Sequence, residues 1–198
     1  MNEKFFDLPR EKQDRMINGA LEVFSQNGFK HASTDDMVKA VGVSKGLWFH
    51  YFGSKAGLYV FVYEYSVKYI LLELSTVIDE EERDFFEMVK QIELAHTRVS
   101  KSYPFMMAFL EKASAETDEE IAAQTMEAKM TLQERMSGLI RNTEVRGIED
   151  KARRERVRKL TGYTIEGLIK ERTLAGMEPD GIYKELKAYL DFIKETFC

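Results

Sequence analysis

Lys45, Gly46, Leu47 and Phe49 stand in one short stretch, Val-Ser-Lys-Gly-Leu-Trp-Phe-His-Tyr-Phe over residues 43–52. Together they carry what is needed to read the edge of a base pair. The Lys45 ammonium can donate to guanine O6 and N7, Gly46 permits close backbone approach, and Leu47 and Phe49 suit the thymine methyl group. Ser33, His50, Tyr51 and Lys55 flank them with hydroxyl, imidazole and ammonium groups of the kind that hold phosphate oxygens. Elsewhere the chemistry thins out. Glu93-Leu-Ala-His96 has the Glu-x-x-His spacing of helical di-iron sites, but such sites need a second pair. Neither His31 nor His50 has a Glu three residues before it. No phosphate-cradling glycine loop, Gly-x-Ser-x-Gly elbow or zinc-type cysteine cluster occurs. The one cysteine, Cys198, has no convincing histidine partner, so nucleophilic catalysis has no support. No enzyme activity, metal or other cofactor is expected.

Base-edge readers must be held on a rigid element, and the stretch around them supplies one. Ser33 precedes Asp36 by three residues, the capping-box spacing of a helix start. Met37, Val38 and Val41 give that helix an apolar stripe. Gly42 ends it in a left-handed cap, Val43 plugs the turn, and Ser44 caps a second short helix. With a 100° step per residue, Trp48 and Phe52 turn inward. Lys45, Gly46, Phe49 and His50 point away, with Leu47 at the border. Helix, glycine turn, helix is the layout that places its second helix in a DNA major groove. Such pairs also occur in all-α proteins that never touch DNA, and Phe49 and Leu47, left in water, favour the groove.

The remaining chain reads as helices throughout. A first helix starts near Asp7 and Pro9, buries Ile17, Ala20, Leu21 and Phe24, and ends at Asn27-Gly28. Ser54 caps a long helix running to about Ile78. Lys55 lies in its first turn, where a positive charge is disfavoured and a phosphate would be welcome. A charged break at Glu80–Asp84 precedes a helix to about Lys101. Pro104 starts a short helix, and Thr117–Glu120 opens another. Arg146-Gly-Ile forms a loop before two last helices, roughly Asp150–Ala175 and Pro179–Phe197. The basic run over residues 151–159, interleaved with Glu155, reads as a solvated helix face rather than a nucleic-acid patch.

The totals agree with an all-α chain: 198 residues, three prolines and twelve glycines. The net charge of −5 is unevenly spread. Residues 1–58 hold eight Lys/Arg and seven Asp/Glu, so the acidic excess lies in the remainder. Non-specific affinity for DNA should therefore be modest. A single cysteine suits a reducing cytoplasm. The first residues carry no apolar run of signal-peptide length. Apolar stretches such as Leu58–Tyr63 are too short to span a bilayer.

Val43-Ser44-Lys45-Gly46, His50-Tyr51-Phe52, Ser54-Lys55 and Leu58 resemble the N-terminal signature of the TetR family of bacterial transcription regulators. The match extends back through Ala20, Phe24, Gly28, Phe29, Asp36, Ala40 and Gly42 and covers roughly the first third of the chain. The family often has Thr, Leu and Tyr where this chain has Leu47, Trp48 and Phe49, so a hydroxyl contact at Phe49 is absent. The resemblance implies an N-terminal three-helix helix-turn-helix domain, residues 1–53, and a larger helical ligand-binding and dimerisation domain, residues 54–198, with about nine helices in all. It implies a cytoplasmic homodimer on a palindromic double-stranded operator, with no membrane partner, and a repressor released by a small apolar or amphipathic effector. The Phe- and Met-rich middle helices are ordinary core or an adaptable cavity, since Met repacks around varied ligands. Candidate lining residues are Phe85, Met88, Phe105, Met106, Phe109, Met126, Met130, Tyr163 and Glu166. Val157, Leu160, Thr164, Leu168, Leu186, Tyr189 and Ile193 form stripes that pack within the monomer or, as the resemblance implies, in a two-fold four-helix bundle. Two alternatives stand beside this: a DNA-binding regulator controlled by a protein partner or by abundance, and a helical enzyme or carrier with a vestigial head.

Overall fold

The computed structural model describes residues 3–198. Met1 and Asn2, part of the stretch searched for a leader, lie outside the described residues. Good helix formers fill the chain and the prolines stand at its breaks. Among the described residues it forms nine α-helices. These are α1 (Arg10–His31), α2 (Thr34–Val41), α3 (Lys45–Phe52), α4 (Lys55–Val77), α5 (Phe85–Ser102), α6 (Met106–Ser114), α7 (Glu119–Arg141), α8 (Lys151–Leu174) and α9 (Pro179–Phe197). A short 3-10 turn, Glu3–Phe5, precedes α1. The helix α6 starts two residues later than the position of Pro104 suggests. Tyr103 is buried and its carbonyl accepts from the Met106 N–H (3.0 Å), so a turn forms first. Among the described residues, no helix is long and apolar enough to cross a membrane.

Contacts gather the chain into two compact units, Met1–Leu71 with Ser102–Leu132, and Leu72–Lys101 with Gln133–Cys198. The first unit thus holds α6 and part of α4 beside the three helices expected at residues 1–53. Its core is built on α1, whose Met16, Ile17, Ala20, Leu21 and Phe24 are buried. Burying each large side chain contributes about 1.5–3 kcal/mol. A Cβ at Gly19 would collide with the Val41 side chain, so glycine is what lets α2 lie this close to α1. At Gly28 the backbone of α1 leaves helical geometry (φ 67°), where the Asn27-Gly28 pair marked an end, and one further turn reaches His31. The Phe5 ring packs 5.2 Å from Phe52, 5.2 Å from Phe61 and 5.7 Å from Tyr51.

A polar chain also crosses this core. The Tyr103 hydroxyl donates to Asp14 Oδ1 (2.6 Å) and lies 2.6 Å from the Tyr65 hydroxyl. Asp14 also faces Arg10 at 3.5 Å. These bonds stitch α1, α4 and the turn before α6 together. Burial, and then the hydrogen bond to the Asp14 carboxylate, push the Tyr103 phenol well above its usual pKa.

The second unit has its own core of Phe85, Phe86 and Val89 from α5, Val145 and Ile148 from the α7–α8 loop, and Val157, Leu168, Leu186, Leu190 and Ile193 from α8 and α9. The chain before α5 pairs with the α7–α8 loop through Phe85 N–H to Glu144 O (2.9 Å) and Glu144 N–H to Arg83 O (2.7 Å). Arg158 lies over the Phe85 ring and donates to Thr143 O (2.6 Å). Arg172 grips Glu185 with two bonds of 2.8 Å, joining α8 to α9.

Candidate nucleic-acid interface

Two capped helices set the geometry. Ser33 Oγ accepts from Asp35 N–H (3.2 Å) at the start of α2, and Ser44 Oγ accepts from Leu47 N–H (3.2 Å) at the start of α3. Removing such a cap costs about 1 kcal/mol. Gly42 takes the left-handed cap (φ 71°, ψ 32°), and its N–H bonds to Val38 O (2.9 Å). That conformation strains any residue with a Cβ. The turn is therefore tight, and α3 is held against α2 and the core.

The side chains of α3 divide as the helical step requires. Trp48 and Phe52 are buried, their rings 5.5 Å apart. Lys45, Gly46 and His50 are exposed, Leu47 is half-buried, and Phe49 keeps 40% of its surface in solvent. A short helix thus presents Lys45, Gly46 and Phe49 outward, and the Phe49 ring is not absorbed by the core. The Lys45 Nζ does not hang free. It pairs with Asp35 Oδ1 on α2 at 2.8 Å, and that bond holds the Asp35 carboxyl below its usual pKa. Two opposite charges, each in the first turn of its helix, were the signal in the sequence for this pair.

Two phosphate-facing candidates also have partners within the head. Tyr51 is only 9% exposed, and its ring packs among Phe5, His50 and Phe52 in the core of the head. Lys55 Nζ donates to Lys30 O (3.3 Å) and Ala32 O (3.2 Å) and lies 4.7 Å from the Phe29 ring centre. It closes the carbonyl end of α1, and two of its three N–H bonds are already taken. Ser33 and His50 remain at the surface end of the arrangement, Ser33 with its hydroxyl engaged in the cap.

The residues assigned to a cavity are divided between the two units. Met106 and Phe109 are buried in the first unit, and Phe85 and Met88 in the second. Phe105 borders an open cleft on α1 with Asn18, Gly19 and Ala40. Met126, Met130 and Tyr163 are exposed, and so is Glu166. Glu93 and His96 pair with each other (3.4 Å), and no cluster of three metal-ligating side chains forms among the described residues.

The stripes on α8 and α9 are also revised. Val157, Leu168, Leu186 and Ile193 are buried in their own unit, so a partner chain cannot reach them. Leu160 and Tyr189 are exposed and Thr164 is half-buried. Beside them the sequence reading missed Leu174, 82% exposed, and Phe192, 63% exposed. Each helix has two apolar stripes, and the second one faces water.

Residues 16–60 match the family model of bacterial regulatory proteins, tetR family. Among solved structures, the TetR family transcriptional regulator PfmR from Thermus thermophilus is similar over 91% of this chain and 97% of its own, at 23% identity and a TM-score of 0.58. A TetR-like transcriptional regulator from Rhodococcus sp. RHA1 matches 92% of this chain and 96% of its own, at 19% identity and a TM-score of 0.58. The fatty acid degradation regulator FadR from Bacillus halodurans matches 89% and 96%, at 15% identity and a TM-score of 0.52. No curated protein matches the chain significantly.

Proposed function

We propose that the chain is a DNA-binding transcriptional regulator of the TetR family and acts as a homodimeric repressor. It sits on a palindromic operator in the cytoplasm and is released by a small apolar or amphipathic effector. Regulators of this family are not enzymes, so the helical-enzyme alternative falls away. The observation that carries the proposal is Phe49. A helix held by Trp48 and Phe52 keeps an aromatic ring in water beside Lys45 and Gly46, where burial would stabilise the monomer. Against thymine methyl groups that exposure is useful.

Residues 1–53 act as the reading head and residues 54–198 as the effector and dimerisation part. Dimerisation supplies two heads about 34 Å apart, one per half-site. The surface that suits it is the outer stripe of α8 and α9, with Leu160, Tyr163, Leu174, Tyr189 and Phe192 exposed. An effector that binds the non-binding arrangement more tightly shifts α4, which leads out of the head, and spoils the spacing; equal affinity for both states would shift nothing. A selection of bound fragments from random DNA, with and without candidate effectors, tests this. It should enrich a palindrome. Phe49→Ala should weaken binding to that palindrome about tenfold, the scale of one lost base contact, with little change in thermal stability. Enrichment of no sequence refutes the proposal.

A second reading keeps the operator and dispenses with the small ligand, leaving control to a protein partner or to abundance. Its support is the scatter of the cavity candidates, four buried in packed cores and Met126, Met130, Tyr163 and Glu166 at the surface. Operator release by none of a broad set of apolar molecules would favour it.

A further inference from the structure

Asp35 and Lys45 form an ion pair across the two helices of the reading head. Both backbones are fixed by serine caps, so the 2.8 Å contact joins two anchored helix starts. Asp35 gains from the positive end of α2, while Lys45 stands against the positive end of α3 and needs an anion nearby. Both side chains are largely exposed, and exposed pairs are weak enough to exchange.

The exchange is not symmetrical between targets. An ammonium has three N–H bonds. With one on Asp35, two remain for the neutral O6 and N7 of a guanine, and the carboxylate stays in place. A phosphate is a second anion beside Asp35, so Lys45 reaches it only by leaving its partner or by drawing two like charges together. Resting on the DNA-binding reading above, we propose that Asp35 is a specificity-determining residue, holding Lys45 back from phosphates while leaving it available to base edges. Its effect is to weaken attachment to random DNA more than attachment to the operator.

Asp35→Asn keeps the shape and removes the charge. Its binding to a random-sequence duplex and to a selected operator duplex should be measured by filter retention across a salt series. Freeing Lys45 for one further phosphate steepens the log–log salt slope for random DNA by about 0.9, which is about eightfold tighter binding at 0.1 M salt relative to 1 M. Operator binding should tighten less, so the ratio between the two falls. In a Lys45→Ala background, Asp35→Asn should have no such effect. Asp35→Ser carries the same expectation should the Asn variant melt early. An unchanged slope on random DNA overturns the proposal. So does an equal gain in the Lys45→Ala background, which would make Asp35 a general repeller of DNA. Wild-type protein that binds no duplex at any salt refutes the DNA-binding reading itself.

Discussion

Tyr103→Phe deletes one oxygen from the middle of the Asp14–Tyr103–Tyr65 chain and leaves the ring. The ring is buried, so its packing survives and the polar loss can be isolated. The bond to Asp14 is short and charge-assisted, a class whose loss costs about 1.5–3 kcal/mol. Asp14 keeps Arg10 and is partly open to water, so the lower half of that range applies, about 2 kcal/mol. For a chain of this size that lowers the melting temperature by about 4–8 °C. The pH dependence adds a second signature. The Tyr103 pKa is raised in the folded protein, so its stabilising contribution is complete below the unfolded value of about 10 and is lost as pH climbs above it. At pH 11 one such tyrosine forfeits about 1.4 kcal/mol, so wild type and variant should converge by that amount. Chemical denaturation followed by circular dichroism at pH 8 and pH 11 reads both quantities. Equal stability at pH 8, or a gap that stays constant to pH 11, would refute the role given to this chain.

Lys55→Ala should lower stability by about 1 kcal/mol, through loss of the cap on α1 and of the contact with Phe29, while leaving the salt slope of DNA binding unchanged. Thermal melting and a salt titration check the two halves, and a flatter slope would restore Lys55 to the phosphate contacts. On α9, Phe192→Glu should turn the proposed dimer into a folded monomer in sedimentation, since that ring is mostly exposed within one chain. Leu186→Ala, on the inner stripe of the same helix, should instead cost about 2–5 kcal/mol of folding stability in urea denaturation, because Leu186 is buried in the second core.

The head was legible because its signals are local. Ser44, Gly42 and the 100° step fix the caps, the turn and the inward set of α3 from residues that are neighbours in the chain. The packing of Tyr51 and Lys55 was not legible, for the opposite reason. Tyr51 is covered by Phe5 and Lys55 closes the end of α1, contacts made across long sequence separations that periodicity does not encode. On α8 and α9 the spacing announced apolar stripes correctly, but each helix carries two. Nothing in spacing says that Val157 and Leu168 turn inward while Leu160 and Leu174 stay out. The Met-rich segments carried a similar ambiguity, since Met106 is core and Met130 is surface.

The chain has a single tryptophan, and it is Trp48, 3% exposed on α3 with an indole N–H that finds no acceptor among the described residues. Any ultraviolet emission from indole therefore originates in the one helix proposed to enter the groove. Whatever disturbs that helix, a duplex, a denaturant or a ligand docked elsewhere, can be followed optically in the unlabelled protein, with no dye attached and no other chromophore of its kind to subtract.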